Sequence, residues 1–257
     1  MQSPKKLYIK NKKMLKEMSK EIKLIQLNFL AFFFIIFLSV LVSGEGITSC
    51  TTITSPGSYY LQNDIIDSTN TTCINITVSD VVLDCQGYAI DGNFSLNGSA
   101  SEMIYAIYSN SSNTTIKNCK ISNWQNGIFL DKGATNSVVE NNVIERIFGA
   151  AKGGNAVGIH MKSSNNKIYN NSIKNFVGGT GVTGEGTGVT GGTGGIGAGI
   201  YLSSSTGNNL SSNVISNITG GVGGTGGTFG SGGTGGIGAG IYLANSSTGN
   251  NLSSNTI

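Results

Sequence analysis

Short runs of alternating aliphatic and polar residues recur along the chain from about residue 81 onward. The most regular motif reads Gly-Ile-x-hydrophobic, as in Gly127-Ile128-Phe129-Leu130. Alternation of this kind predicts a strand in which Ile128 and Leu130 point inward and Phe129 points outward. Further copies of this first column begin at Ala106, Gly158, Gly199 and Gly240.

Two more columns follow each copy of the first. About ten residues later an aliphatic residue is followed, three positions on, by Asn, and an isoleucine comes directly afterwards. The second column comprises Val139 with Asn142, Ile168 with Asn171, Leu210 with Asn213 and Leu252 with Asn255. The third column comprises Ile121, Ile144, Ile173, Ile215 and Ile257.

Three short strands separated by Asn, Ser and Gly bends cannot pair within one turn, but each can lie above its counterpart in the next turn. The sequence therefore predicts an all-β, right-handed parallel β-helix, a solenoid with three short strands per coil, after an N-terminal signal or anchor helix. We expect the recurring Asn at a bend, because its side chain tolerates left-handed backbone and can bond along a stack of amides. Gln86 and Cys119 are expected to replace it in the earliest coils.

Glycine-rich insertions separate the third column from the next first column. This spacing grows from 7 residues between Ile121 and Ile128 to 27 between Ile173 and Ile200. The insertions at 177–199 and 219–240 are therefore expected to project from one edge of adjacent coils. Two interpretations remain open: flexible low-complexity loops, or extended glycine-dense strands packed into an ordered ledge.

The expected organisation has three parts. Residues 1–44 form a basic leader with a hydrophobic segment, 45–92 an N-terminal cap and first coil, and 93–257 the remaining coils. Because residues 255–257 stop inside a third-column strand, we expect the chain to be a fragment truncated at its C-terminal end.

The N-terminus predicts export. Lysine-rich residues 5–23 precede the apolar run 29–42, which fits a signal peptide cleaved after Gly44 or a retained membrane anchor. We expect translation to start at Met18 and the protein to be extracellular or on the cell surface. The same basic segment holds eight of the 16 Lys and Arg residues. The remainder is mildly acidic, which argues against a nucleic-acid partner.

Four cysteines follow the signal, at positions 50, 73, 85 and 119. In an exported chain they can form two disulfides, and we favour Cys50 with Cys73 and Cys85 with Cys119 among the three possible pairings. Buried free thiols are the alternative. No CxxC or Cys/His pair has zinc-ligand spacing, so no metal site is predicted.

Aromatic residues occupy the outward position of the first column in five consecutive coils: Tyr108, Phe129, His160, Tyr201 and Tyr242. These rings fit either a platform for sugar rings or mutual packing that stabilises the strands. On the second column Asp84, Lys117 and Glu140 point outward, as a catalytic cluster or as a surface charge ladder. No catalytic residue and no cofactor is assigned.

The entry segment carries Cys50-x2-Ile53-x2-Pro56-Gly57 and then Leu83-Asp84-Cys85-Gln86-Gly87. Together with the coils it resembles the β-helix surface proteins common in archaea, related to the pectin-lyase-like carbohydrate-binding and sugar-hydrolase family with NosD-type repeats. The resemblance covers about residues 47–257. It implies the fold, and one fold hosts many functions. Our first hypothesis is an exported, non-enzymatic surface protein whose β-helix presents faces for contact with a polysaccharide, a cell-surface glycan or the cell envelope. The alternative is a polysaccharide lyase or glycoside hydrolase with catalytic coils partly outside this chain. NosD-type proteins suggest copper, but a single histidine argues against a copper site here.

Overall fold

The computed structural model describes residues 44–93 and 104–257, together with residues 18, 20–23 and 25–26. The chain divides into two units, Met1–Ser43 and Gly44–Ile257. In the first unit the described residues are helical, and the apolar run 29–42 lies outside the described residues. None of the helices in the described part of the chain is long and apolar enough to cross a membrane.

The second unit consists of short strands joined by tight bends and by a few longer insertions. In chain order the strands are β1 (Glu45–Ile47), β2 (Thr51–Ile53), β3 (Gly57–Leu61), β4 (Ile65–Ser68), β5 (Thr72–Ile76), β6 (Val81–Asp84), β7 (Ala89–Gly92), β8 (Tyr105–Ser109), β9 (Thr114–Lys117), β10 (Lys120–Ser122), β11 (Asn126–Leu130), β12 (Val138–Glu140), β13 (Val143–Phe148), β14 (Ala156–Met161), β15 (Lys167–Tyr169), β16 (Ser172–Val177), β17 (Gly197–Ser203), β18 (Asn209–Ser211), β19 (Val214–Thr219), β20 (Gly238–Ala244) and β21 (Asn251–Ser253).

These strands form three parallel sheets, and each turn of the chain passes through the first, second and third sheet in that order. The first sheet has the order β2-β5-β8-β11-β14-β17-β20, the second β1-β3-β6-β9-β12-β15-β18-β21, and the third β4-β7-β10-β13-β16-β19. Successive turns therefore stack strand upon strand. The predicted parallel β-helix with three strands per coil is confirmed.

Register follows the columns read from the sequence. Ile128 lies between Ile107 and Ile159 in the first sheet, and all three are fully buried. Val139 pairs with Ile168 in the second sheet. The first-column glycines are needed because adjacent coils come close: a Cβ on Gly158 would lie 2.6 Å from the carbonyl oxygen of Gly199.

The buried Asn column forms a continuous amide ladder. The side-chain Nδ2 of Asn142 donates to Oδ1 of Asn171 at 3.0 Å, Asn171 to Asn213 at 2.9 Å, and Asn213 to Asn255 at 2.9 Å. Each Oδ1 also accepts the backbone N–H of the Asn in the preceding coil. The ladder thus satisfies buried backbone groups at the bend between the second and third sheets.

Two details of the predicted ladder are wrong. The left-handed conformation belongs to the residue before each ladder Asn, such as Asn141 with φ 56° and Asn170 with φ 55°. Cys119 does occupy the ladder position, because its N–H donates to Oδ1 of Asn142. Gln86 does not; it is an exposed turn residue in a bend two residues longer than that of the next coil.

A second amide ladder, which we did not predict, lies at the bend between the first and second sheets. The backbone N–H of Asn166 donates to Oδ1 of Asn208 at 2.9 Å, and Nδ2 of Asn208 donates to Oδ1 of Asn250 at 2.9 Å. Each of these residues precedes its second-column aliphatic residue by two positions, and that spacing could have identified them.

Both disulfides have the pairing favoured from the sequence. Cys50 joins Cys73 with 4.4 Å between Cα atoms, and Cys85 joins Cys119 with 4.7 Å between Cα atoms. Each links neighbouring coils. The range 45–92, expected to hold a cap and one coil, contains β1 and then two complete turns, β2-β3-β4 and β5-β6-β7.

The glycine-rich insertions occupy 178–196, between β16 and β17, and 220–237, between β19 and β20. We call them together the glycine bundle. On the outgoing arm of the first insertion, the N–H groups of Gly181 and Gly184 donate to carbonyls of the next insertion at 2.8 and 2.7 Å, and the N–H of Gly178 donates to the carbonyl at the end of β19 at 2.9 Å. The returning arms repeat this pattern at Gly188, Gly191 and Gly194. Bonds at every third residue are typical of packed polyproline II helices.

Further bonds join outgoing to returning arms. Gly192 N–H donates to Val182 O at 2.7 Å, and Gly224 N–H donates to Gly192 O at 2.8 Å. Glycine is required by this close packing, because a Cβ on Gly224 would lie 1.8 Å from Val182 O. The insertions are therefore packed into an ordered ledge and are not flexible loops.

Substituting Gly224 by Ala is expected to open the glycine bundle, because the added methyl group has no space. Cleavage within 178–196 and 220–237 by a nonspecific protease should become about tenfold faster or more, since cleavage reports local opening. Gly235→Ala is the matched control, because its Cβ would lie 3.7 Å from the nearest atom, Gly221 O. Equal cleavage rates for the two variants would contradict the ordered bundle.

Asn171→Ala should destabilise the β-helix by about 3 kcal/mol, because it leaves buried partners in the coils on either side without hydrogen bonds. Asn209→Ala, an exposed Asn two residues before Ser211, should change the free energy of unfolding by no more than about 0.5 kcal/mol. Urea unfolding followed by circular dichroism measures both. The ladder would lose its structural importance if the two variants were equally stable.

Candidate functional site

The outward face of the first sheet carries a row of stacked rings. Parallel register places Tyr108, Phe129, His160, Tyr201 and Tyr242 side by side on successive strands. Successive ring centroids lie 5.5, 4.5, 4.8 and 5.3 Å apart along this aromatic row. The one-residue-per-coil arrangement expected from the sequence is present.

The aromatic row is not a uniformly accessible platform. Phe129 is only 3% exposed and His160 9%. Tyr105 packs on Phe129 with centroids 5.1 Å apart, and Lys162 Nζ lies 5.2 Å from the centre of the same ring. Of the two interpretations of the row, mutual packing therefore describes its centre, where the rings contact one another and neighbouring side chains cover them.

The accessible end of the row is the pair Tyr201 and Tyr242. Both rings are partly exposed, and their planes differ by only 13°. At the other end Tyr108 donates its hydroxyl hydrogen to Asp131 Oδ2 at 3.0 Å. Burial, the hydrogen bond and the charge of Asp131 raise the pKa of Tyr108 to about 12.

His160 is the buried polar member of the row. Its faces contact Phe129 and Tyr201, and its Nε2 has no hydrogen-bond partner among the described residues. Burial and then Lys162 lower the pKa of His160 to about 4, although Asp131 acts in the opposite direction. The imidazole is therefore neutral at neutral pH.

A cavity of about 210 Å³, the corner cavity, opens beside His160. It lies between the first sheet and the loop that joins β13 to β14, and its lining is uncharged. The residues around it are Gln125, Asn126, Gly153, Gly154, Asn155, Val157 and His160. We did not predict these residues, although Asn126 begins β11 and Asn155 directly precedes β14, as a search for polar residues at the start of first-column strands would have shown.

The glycine bundle holds the outer wall of this cavity. Gly153 N–H donates to Thr180 O at 2.8 Å, and Gly179 N–H donates to Gly154 O at 2.8 Å. The N–H of Ile196 donates to Asn155 Oδ1 at 2.9 Å. The wall is therefore fixed by backbone bonds to the next insertion.

The charged residues of the second sheet are arranged as a surface ladder. Lys117 Nζ lies 3.4 Å from Asp84 Oδ2, and Glu140 accepts a hydrogen bond from the hydroxyl of Tyr169. Burial raises the pKa of Asp84, but hydrogen bonds from Asn118 and the Gln86 N–H and the charge of Lys117 outweigh it, so the net pKa is lowered. An ionised, paired carboxylate fits the surface-ladder interpretation better than a general acid.

Among residues 44–93 and 104–257 and the few described helical residues, no three His, Cys, Asp or Glu side chains converge as metal ligands.

Stacked parallel sheets, buried aliphatic columns and amide ladders define the class of a parallel β-helix. The family described as the right-handed β-helix region matches residues 46–257, and the chain belongs to that family. The predicted right-handed fold is thereby confirmed. No curated protein and no solved structure matches the chain.

The buried neutral His160 predicts a specific acid sensitivity. Its pKa of about 4 in the folded protein lies below the ordinary 6.5, so the unfolded chain binds the extra proton first as the pH falls. The stability contributed by the neutral form is complete above pH 6.5 and declines toward pH 4, by about 2–3 kcal/mol at pH 4.5. His160→Phe, which keeps a ring in the row, should lack this loss.

Urea unfolding of both proteins at pH 7.0 and pH 4.5 measures the difference, because carboxyl titration is common to both. An identical loss in wild type and variant would show that His160 titrates normally.

Proposed function

We propose that the protein is an exported cell-surface or extracellular β-helix that contacts glycans of a polysaccharide or cell envelope, without catalysing a reaction. The contact is made by the outer face of the first sheet. The observation that carries this proposal is the parallel, partly exposed Tyr201–Tyr242 pair. Sugar rings have apolar faces that stack on aromatic rings, while their hydroxyl groups need polar neighbours.

The surroundings of the pair supply polar neighbours. Ser203 and Ser204 line a cavity of about 330 Å³ together with Lys132 and Lys162, at the ends of the first-sheet strands. Beyond Lys174 the only charged residue of the chain is Glu185. Apart from the two lysines, the surroundings of the pair are rich in hydroxyl and amide groups, which suit the hydroxyl groups of a neutral glycan.

Export is supported by the basic and apolar N-terminal segments and by the two disulfides. Disulfides persist in oxidising compartments outside the cytosol. Attachment to a membrane through residues 29–42 is part of the proposal if the segment is not cleaved.

A glycan array tests the contact face directly. The double variant Tyr201→Ala with Tyr242→Ala should lose at least about tenfold in affinity for any glycan that the wild type binds, corresponding to about 1.4 kcal/mol. Circular dichroism should be unchanged, because both rings lie outside the core. Tyr88→Ala, at an exposed tyrosine between β6 and β7, is the matched control and should bind normally.

Two results would overturn the glycan-contact proposal. One is a wild-type protein that binds no glycan on the array. The other is a double variant that binds as tightly as the wild type and the Tyr88→Ala control.

A further inference from the structure

The corner cavity is bordered by a buried polar side chain that the fold leaves unpaired. His160 is 9% exposed, and its Nε2 has no hydrogen-bond partner in the described part of the chain. An orphaned buried polar atom is uncommon in folded proteins, because it loses its bonds to water without replacement. Both ring faces are occupied by Phe129 and Tyr201, so only the edge of the imidazole is left for a partner.

Each amide side chain around the cavity uses only one of its two polar atoms in a hydrogen bond to a described residue. Gln125 accepts the N–H of Ile104 at 3.2 Å through Oε1, and Asn126 donates through Nδ2 to Ile104 O at 3.2 Å. Asn155 accepts the N–H of Ile196 through Oδ1. These bonds fix each amide and leave Gln125 Nε2, Asn126 Oδ1 and Asn155 Nδ2 without a described partner.

The lining therefore offers fixed donors and an acceptor but no charge of its own. The two charges that act on His160, those of Lys162 and Asp131, have opposite signs. A volume of about 210 Å³ is below the roughly 300–1,000 Å³ of pockets for drug-sized ligands. A single ring bearing hydroxyl groups, each both donor and acceptor, matches this size and polarity.

We propose that the corner cavity binds one uncharged sugar residue through the edge of His160 and the free amide atoms of Gln125, Asn126 and Asn155. This rests on the proposed function, since the cavity adjoins the aromatic row, and it specifies a neutral sugar as the residue recognised. The wall is preorganised, because backbone bonds from Thr180 and Gly179 hold Gly153 and Gly154. The glycine bundle thereby acquires a role in positioning a binding site.

Titration with single sugars tests the cavity apart from the rest of the face. The probes are methyl β-D-galactoside, methyl α-D-mannoside and N-acetyl-D-glucosamine, with D-galacturonate as the charged counterpart, followed by NMR of the ¹⁵N-labelled protein. At least one neutral sugar should bind in the millimolar range and shift the amide signals of Gly153 and Gly154. Galacturonate should bind at least tenfold more weakly.

Two variants locate the contact. His160→Phe keeps the stack but removes the ring nitrogens, and Asn155→Asp keeps the acceptor for the Ile196 N–H but removes the Nδ2 donor. Each should weaken binding of the neutral sugar at least tenfold, with the remaining amide spectrum preserved. Asn209→Ala, far from the cavity on β18, is the control and should bind as wild type.

The proposal is overturned if no neutral sugar shifts Gly153 and Gly154, if galacturonate binds equally well, or if both cavity variants bind like the control. Suppose that glycan-array binding depends on Tyr201 and Tyr242 but no single sugar shifts the signals of Gly153 and Gly154. That result would refute the cavity site alone and leave the glycan-contact function intact. If a single sugar binds in the cavity but the protein binds no glycan on the array, the tyrosine contact is refuted and the cavity site stands.

Discussion

The backbone hydrogen bond between one turn of the chain and the next is the interaction on which the rest of this structure depends. In the three sheets it places each strand about 4.8 Å from its counterpart, so a residue type repeated once per coil becomes a stack. The aliphatic core, the Asn142–Asn171–Asn213–Asn255 ladder and the aromatic row all result from this one translation.

The same bond operates without β-strands in the glycine bundle. More than half of the residues there are glycine, so the backbones approach closely: Gly192 N–H donates to Val182 O within one insertion, and Gly192 O accepts from the N–H of Gly224 in the next. Because glycine has no side chain, the outgoing and returning arms of the two insertions can form backbone hydrogen bonds both with each other and with the matching arm of the next insertion. This order extends inward to Gly153 and Gly154, so a segment of low complexity determines the shape of a cavity beside the aromatic row.

Sequence reasoning succeeded where a signal repeats in every coil and failed where one coil covers another. Ile128, Ile159 and Ile200 recur at the same point of their motif, so their pairing could be predicted from spacing alone. The burial of Phe129 could not, because it depends on Tyr105, whose counterparts in the next two coils, Asn126 and Val157, are not aromatic.

The left-handed residue was predicted one position too late. Asn141 and Asn142 are adjacent and identical in type, so the sequence does not distinguish the residue in the left-handed turn from the residue in the buried ladder. The period of three in the glycine segments is visible in the sequence, but the carbonyls that these glycines bond to, such as Val222 O for Gly181, lie in the next coil and could not be identified from the spacing. The corner cavity was missed for a similar reason: Gln125 and Asn126 meet Asn155 only across neighbouring coils.

Amide hydrogen exchange, measured by NMR on the glycine residues, tests most directly whether bonds between and within successive turns order the whole solenoid. The N–H of Gly192 and Gly224 should exchange slowly, as do those of the sheets, because each donates to a backbone carbonyl. The N–H of Gly232, which donates to no described residue, should exchange rapidly. Rapid exchange at all three glycines, with protection confined to the strands, would contradict the claim that the same bonding continues through the glycine bundle.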